Sequence, residues 1–303
     1  MATLSITYEN DIVAGTDKHY TNGIKVIYVP ERVVPTPSWA YKAAKLVPWF
    51  PAAGEIRHGY LFGQSIFTAS DITLSNPPLD DRPYAGWLYG GVGIGTESGR
   101  QLDLLVLSIG IVGPASLAEE GQKLVHQTIG GDMPQGWGTQ LANEPGFVIM
   151  TQRSWRVVEH AFGGGARLDL TSHLGTALGN IFTHGSTGLT VRFGGHLPRD
   201  YGPPRIEPGL PGSANFAPVT GSGWYFFTGV EGRLVARNIF LDGNTFRDSR
   251  RVDKYPLVGD LQLGFVVDWQ TARFNYTHVF RTREYKTQEG GDSFGVFSIS
   301  FKF

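Results

Sequence analysis

A transmembrane antiparallel β-barrel of twelve strands, with one short helix in an extracellular loop, is the all-β fold this sequence predicts. Three observations predict it. Apolar and polar residues alternate with a period of two in nearly every segment. The segments run to about ten residues, the length of a tilted strand that crosses a bilayer. The chain closes on alternating aromatics, Phe297, Ile299, Phe301 and Phe303, set against Ser298, Ser300 and Lys302.

Composition narrows the alternatives. The chain has 303 residues with 41 glycines, 13% aromatic and only 17% charged residues, unlike an ordinary cytosolic α/β enzyme. Its 41% hydrophobic content and net charge of -1 exclude disorder. Lys and Arg number 26 against 27 Asp and Glu, so the basic excess of a nucleic-acid binder is missing. Without cysteine there is no disulfide framework, thiolate metal site or thiol nucleophile. No apolar run is long enough for a transmembrane helix; the longest candidate, Leu102 to Pro114, is broken by Asp103, Ser108 and glycines. After Met1 and Ala2 the chain opens directly on alternation, so it reads as a mature sequence whose leader has been removed.

Twelve runs carry the alternation, near residues 2 to 11, 20 to 29, 57 to 67, 85 to 96, 101 to 111, 146 to 158, 164 to 176, 187 to 196, 223 to 240, 256 to 269, 271 to 282 and 293 to 303. In the tenth, Leu257, Leu261, Leu263, Phe265, Val267 and Trp269 share one face and Asp260, Gln262 and Asp268 the other. A soluble β-sandwich alternates as well. Segment length, the terminal aromatics and the Trp and Tyr near run ends (Tyr8, Trp87, Tyr89, Trp224, Trp269, Tyr276) favour a barrel with an interfacial girdle. The final run resembles the C-terminal signature of bacterial outer-membrane barrels. An even strand number puts both termini on one side, and residues 1–303 form a single domain.

Strand parity sorts the connections. With periplasmic termini, those near 12 to 19, 68 to 84, 112 to 145, 177 to 186, 241 to 255 and 283 to 292 are extracellular. The turns Glu97-Ser98-Gly99-Arg100 and Gln270-Thr271 are periplasmic and short, as barrels require. Two periplasmic connections, about 30 to 56 and 197 to 222, break that rule, and the first contains a helix pattern near Trp39 to Val47. The third extracellular connection carries another, from Ala115 to Ile129, where Leu117, Leu124, Val125 and Ile129 fall near one face and His126 lies on the helix.

Several short motifs then occur in order: Glu9-Asn10-Asp11; Thr16-Asp17-Lys18-His19-Tyr20-Thr21-Asn22-Gly23; Phe62-Gly63-Gln64; Asp81-Arg82-Pro83-Tyr84-Ala85-Gly86-Trp87; Gly113-Pro114-Ala115 with Gln122 and His126; and Gly136-Trp137-Gly138 with Gln140, Asn143, Glu144 and Pro145. Over the first half of the chain this set resembles the outer-membrane lipid A deacylase family, whose best-known members remove 3'-O-linked acyl chains. The resemblance implies a calcium-dependent hydrolase site between the outer wall and an extracellular helix. Carried over by motif, His126 is the base, Asp11 a calcium ligand, and Asn10 and Thr21 order the site. Asp132, six positions after the histidine, supports metal or base, with Glu144 competing for that role.

Parity agrees on location. Asn10 and Asp11 end the first run, Thr21 begins the second and His126 sits in the third outer loop, so all lie on the extracellular rim. Asn10 shares the lipid-facing parity of Leu4, Ile6 and Tyr8, and Asp11 the lumen parity of Thr3, Ser5 and Thr7. Hard oxygen ligands suit calcium, and a neutral imidazole accepts a proton from water.

Taken alone, Asn10 and Asp11 read as a turn, and a lone histidine as a packed or surface residue. His19, beside Tyr20-Thr21, competes with His126 as base. No Gly-x-Ser-x-Gly elbow supports a serine hydrolase. No Lys lies between Lys45 and Lys123 to serve as the basic pocket residue expected of the family, which leaves Arg82 as the substrate-binding candidate. Arg247, Arg250, Arg251 and Lys254 form a basic cluster for lipid phosphates.

The reading is a monomeric outer-membrane lipid A deacylase requiring Ca2+, acting on lipopolysaccharide among outer-membrane lipids, without nucleic acid. The alternatives are a calcium-dependent phospholipase at the same rim and a non-catalytic channel or structural barrel.

Overall fold

The computed structural model describes residues 1–11, 19–31, 35–51, 55–198, 200–202 and 222–303. Thr16, Asp17 and Lys18 of the second motif lie outside the described residues.

Twelve antiparallel strands close into a barrel in simple up-and-down order, the first pairing with the last. They are β1 (Thr3–Asn10), β2 (His19–Val29), β3 (Glu55–Thr68), β4 (Ala85–Ser98), β5 (Gln101–Val112), β6 (Glu144–Ala161), β7 (Ala166–Gly179), β8 (Phe182–Gly195), β9 (Ser222–Asn238), β10 (Leu257–Trp269), β11 (Ala272–Arg281) and β12 (Asp292–Lys302). Every predicted run is a strand. The main boundary difference is β8, which starts at Phe182, so the outer turn before it shrinks to Asn180-Ile181. Gly185 and Gly188 hide the alternation there, but the pairing of Phe182 with Asn238 carries the strand to its full length.

Among the described residues three α-helices complete the fold: α1 (Ser38–Leu46), α2 (Ala118–Ile129) and α3 (Ile239–Asp242). The first two were expected within a few residues. α3 was not, because its four residues follow β9 without a break in apolar character. The side chain of Asn238 caps it by accepting from Phe240 N at 3.1 Å.

The lumen is crossed by side chains at both ends. At the α2 end, α3 brings Phe240 inward to stack on Phe67 with centroids 3.9 Å apart, and Phe182 lies 5.5 Å away. Trp87 and Tyr89 join this aromatic core, stacked on each other at 4.1 Å. They were expected in the interfacial girdle. Both face the lumen instead, because the alternate positions of β4 are glycines and aliphatics on the outer wall, with Gly86 directly under α2.

At the end holding the termini, the chain after β8 folds back inside. Leu197 packs on Tyr225, Phe227 and Val266. The buried Asp200 carboxylate accepts from Arg192 of β8 and Arg273 of β11. Tyr201 reaches the opposite side, with Arg156 4.7 Å from its ring and Glu97 of β4 3.5 Å from its hydroxyl. Buried arginines in the wall are likewise matched by carboxylates, as in Arg233–Asp260–Arg281. Burial disfavours each charge, and a hydrogen-bonded partner offsets that cost.

Candidate active site on the outer wall

The candidate site lies outside the barrel. α2 begins over β4, where an added Cβ at Gly86 would lie 2.1 Å from Ala118 Cβ, so only glycine admits the helix that close. It next passes over β3. Gln64 Nε2 donates to the Ser116 carbonyl at 2.7 Å, and Gly121 faces Gln64 and Ile66. Ile66, Ala69, Tyr84, Ala118 and Trp137 pack into one small core that fixes the helix.

The face of α2 turned to the wall is small and polar. Ala118, Gln122 and His126 follow at intervals of four and are each 1% exposed. Its leucines point the other way: Leu117 is 55% and Leu124 66% exposed. The exposed side mixes Leu124 and the N-cap Leu117 with Glu120, Gln127 and Thr128, so leucine is not the buried stripe of the usual amphipathic helix.

His126 Nδ1 lies 2.6 Å from the Asp132 backbone carbonyl. A carbonyl oxygen only accepts, so Nδ1 carries a proton and Nε2 is the basic nitrogen of the neutral ring. Asp132 meets His126 through its backbone carbonyl, and its side chain is exposed. One turn earlier, Trp137 Nε1 donates to Gln122 Oε1 at 2.9 Å, which fixes the amide orientation. The buried Gln122 Nε2 then has no hydrogen-bond partner among the described residues. Sequence reasoning gave Gln122 no role. The signal was its spacing of four from His126.

Asn10, Asp11 and Thr21 are all buried at the α2 end of β1 and β2. Asn10 and Asn22 both donate to the Tyr8 hydroxyl, at 3.1 and 2.9 Å, on the outer face. The β2–β3 register shifts between Tyr20 and Asn22, so Thr21 is the extra residue of a bulge. Its hydroxyl lies 2.7 Å from that of Thr68. Bulges commonly re-aim a side chain beside a functional site. Among the described residues no group of three or more His, Asp or Glu is placed to hold a metal. The carboxylate, amide and hydroxyl oxygens of Asp11, Asn10 and Thr21 fit calcium in kind, with further ligands left to carbonyls and water.

Arg82 is not on the substrate face. Its side chain is fully buried on the lumen side and donates to Glu284 Oε2 at 2.6 Å, beside Phe67 and Tyr285. Burial works against its charge, but the Glu284 carboxylate wins and holds its pKa above the ordinary value.

His19 is also engaged on the inside. Nδ1 lies 2.6 Å from Asp292 Oδ1, and Nε2 meets the hydroxyls of Ser70 and Tyr285 at 2.9 and 2.8 Å. Both hydroxyls donate to Asp81 Oδ1, at 3.0 and 2.7 Å. Burial pushes the Tyr285 phenol well up, so it stays a donor. The Ser70, His19 and Asp292 distances match a nucleophilic relay. However, the Ser70 proton points at Asp81, whose carboxylate would oppose an oxyanion at that spot. His19 has φ +67°, a strained conformation held by these partners.

Glu144 is a loop clamp, accepting from Asn180 Nδ2, Asn244 Nδ2 and Thr245 N at 3.1, 3.0 and 2.8 Å. The basic cluster is partly consumed in the same way. Arg250 donates to the Pro77 carbonyl and Asn76 Oδ1, and Lys254 to Asp242 Oδ1 at 2.6 Å. Arg247 and Arg251 stay exposed.

A closed barrel crossed by side chains at both ends, with a helix on its outside that turns a histidine toward the wall, defines an outer-membrane class of barrel with a candidate site on the wall. Within that class, the family model for outer membrane protein LpxR matches residues 1–303, and the chain belongs to this family. Among solved structures, LpxR from Salmonella typhimurium shares the fold with a TM-score of 0.79 at 20% identity, covering 99% of this chain and 100% of that one. The β domain of the Bordetella autotransporter BrkA aligns with a TM-score of 0.47 at 10% identity, over 100% of this chain and 99% of that one. No curated protein matches.

Proposed function

We propose that this chain is a calcium-dependent lipid A 3'-O-deacylase of the outer membrane, with its site in the extracellular leaflet. The observation that carries the reading is His126: a buried histidine on the wall-facing side of α2, oriented through Nδ1 by a carbonyl, with Leu124 and the N-cap Leu117 facing outward. A base there meets a substrate that resides in the membrane. The exposed Leu117 and Leu124 suit acyl chains rather than water.

In this reading His126 Nε2 takes a proton from water as its oxygen adds to the ester carbonyl. The Asp132 carbonyl stabilises the imidazolium through Nδ1–H. The tetrahedral adduct then expels the sugar oxygen, which takes the proton back from His126, leaving a fatty acid and a free hydroxyl. Gln122 Nε2 supplies an amide donor on the same helix face for the water or a substrate oxygen. Calcium, held by Asp11 with oxygens of Asn10 and Thr21, would polarise the carbonyl and stabilise the oxyanion.

The channel reading loses support from the side chains that cross the lumen at both ends. The deciding experiment is fatty-acid release by purified protein in mixed micelles of lipid A or of phospholipid, with calcium or with excess chelator. Release from lipid A alone, abolished by chelation, is expected. Release from phospholipid alone points to a phospholipase, and activity unchanged in excess chelator rejects the calcium mechanism.

A further inference from the structure

The long connection between β2 and β3 breaks the short-turn rule, and the wall-side site makes no use of it. Its helix, α1, lies on the outside of the wall at the end holding the termini. Ala40 and Ala44, both fully buried, pack with Phe50 on Ile56 of β3 and Ile94 of β4, and Leu105 of β5 adds to the same cluster. Ile94 has the outward parity of β4 and is nevertheless 3% exposed, because α1 covers it. Trp39 stands edge-on to His58 of β3 at 5.4 Å. Arg153 of β6 pairs with Asp103 at 2.7 Å and also donates to the Trp49 carbonyl, tying down the chain after the helix.

The opposite face of α1 is uncovered. Leu46 is 82% and Trp49 56% exposed, and Trp39 and Tyr41 are exposed beside Lys42 and Lys45. Lys45 Nζ sits 4.4 Å over the Tyr41 ring. Water alone would not favour so much apolar surface on one short helix.

The neighbouring wall indicates what covers it. At this end outward aromatics line the barrel: Tyr28 on β2, Trp155 on β6, Trp224 on β9, Trp269 on β10 and Phe301 on β12. In the sector β3–β5 the girdle is thin: β3 has Tyr60, the register partner of Tyr28, and β4 and β5 carry no outward aromatic. The outward positions nearer the termini are Ile56 and His58, Ile94 and Thr96, Asp103 and Leu105. α1 places Trp39, Tyr41 and Trp49 in that gap. Farther along the same strands the exposed Tyr60, Phe62 and Leu107 continue into the apolar band.

We infer that α1 is an interfacial anchor seated in the phospholipid leaflet at the termini end, completing the aromatic girdle over β3–β5, with Lys42 and Lys45 toward lipid phosphates. Aromatics settle at the headgroup boundary and basic residues attract anionic lipid. The anchor is independent of the deacylase reading, because its test does not measure acyl release.

The chain has no cysteine, so Leu46→Cys and Trp49→Cys each create one labelling site. Ser98→Cys in the exposed turn at the same end reports water, and Phe62→Cys reports lipid. Nitroxide-labelled barrels, shown folded by heat-modifiable migration, go into phosphatidylethanolamine–phosphatidylglycerol vesicles for power saturation with oxygen and an aqueous nickel chelate. The expected oxygen-to-nickel accessibility ratio at positions 46 and 49 is several-fold above that at 98 and below that at 62. A ratio at 46 and 49 equal to that at 98 overturns the anchor.

Discussion

Two histidines stand at the same end of this barrel, on opposite sides of its wall. His19 faces inward, with both ring nitrogens engaged by a carboxylate and two hydroxyls that themselves bond to Asp81. His126 faces the wall from outside, with Nδ1 on a backbone carbonyl and an unpaired amide donor one turn away. The inner one knits three loops together. The outer one is the base of the proposed reaction. Burial does not separate them, since both are almost fully covered. What separates them is the side of the wall they face and the kind of partner at Nδ1, a carboxylate for His19 and a backbone carbonyl for His126.

This contrast breaks down if rate and stability respond together at the two sites. The largest effect is expected from calcium. Excess chelator should abolish fatty-acid release and Asp11→Ala should weaken calcium dependence. An oxygen-donor site with so few carboxylates belongs in the weak class, with a dissociation constant of about 10⁻⁴–10⁻³ M, measurable by titrating release against free calcium. Next, His126→Ala should lose about 10²–10⁴-fold in rate while heat-modifiable migration stays unchanged. His126→Gln should not rescue it, because an amide cannot take up the proton.

The inner site should show the opposite pattern. Arg82→Ala leaves Glu284 with the more distant Arg281, 4.0 Å away, and should cost up to about 3–5 kcal/mol, read as a lower denaturant midpoint. His19→Ala should lower the midpoint as well and leave the rate per folded molecule near wild type. If His19→Ala is inactive and His126→Ala is not, the two roles are reversed. The smallest effect is expected at Asp132→Ala, which keeps the backbone carbonyl that His126 uses. Loss of release comparable to His126→Ala would make its side chain a ligand or a base partner.

The sequence carried the barrel almost completely, because a period of two is a local property that each strand repeats. It misplaced Trp87 and Tyr89, since aromatics near a strand end serve a girdle or a lumen core equally well and only the neighbouring glycines of β4 decide between them. It located the rim through parity and the resemblance through motifs. Arg82 was misread because a basic residue near the rim reveals neither which side of the wall it faces nor that Glu284, some two hundred residues away, is its partner. Asp132 touches His126 through a backbone atom, a contact that side-chain identity cannot report. Leucine on α2 looked like a packing face, but Leu124 is exposed, which the proposed membrane substrate accounts for.

The central claim is that His126 drives acyl-ester hydrolysis on lipid A from the outer wall. It is tested most directly by mass spectrometry of lipid A extracted from cells expressing the wild-type chain or His126→Ala, with both barrels shown folded in the outer membrane. The wild type should yield lipid A lighter by its 3'-O-linked acyl group, and His126→Ala should leave the full mass. Lipid A of unchanged mass with the wild type, or equal loss in both, would contradict the account.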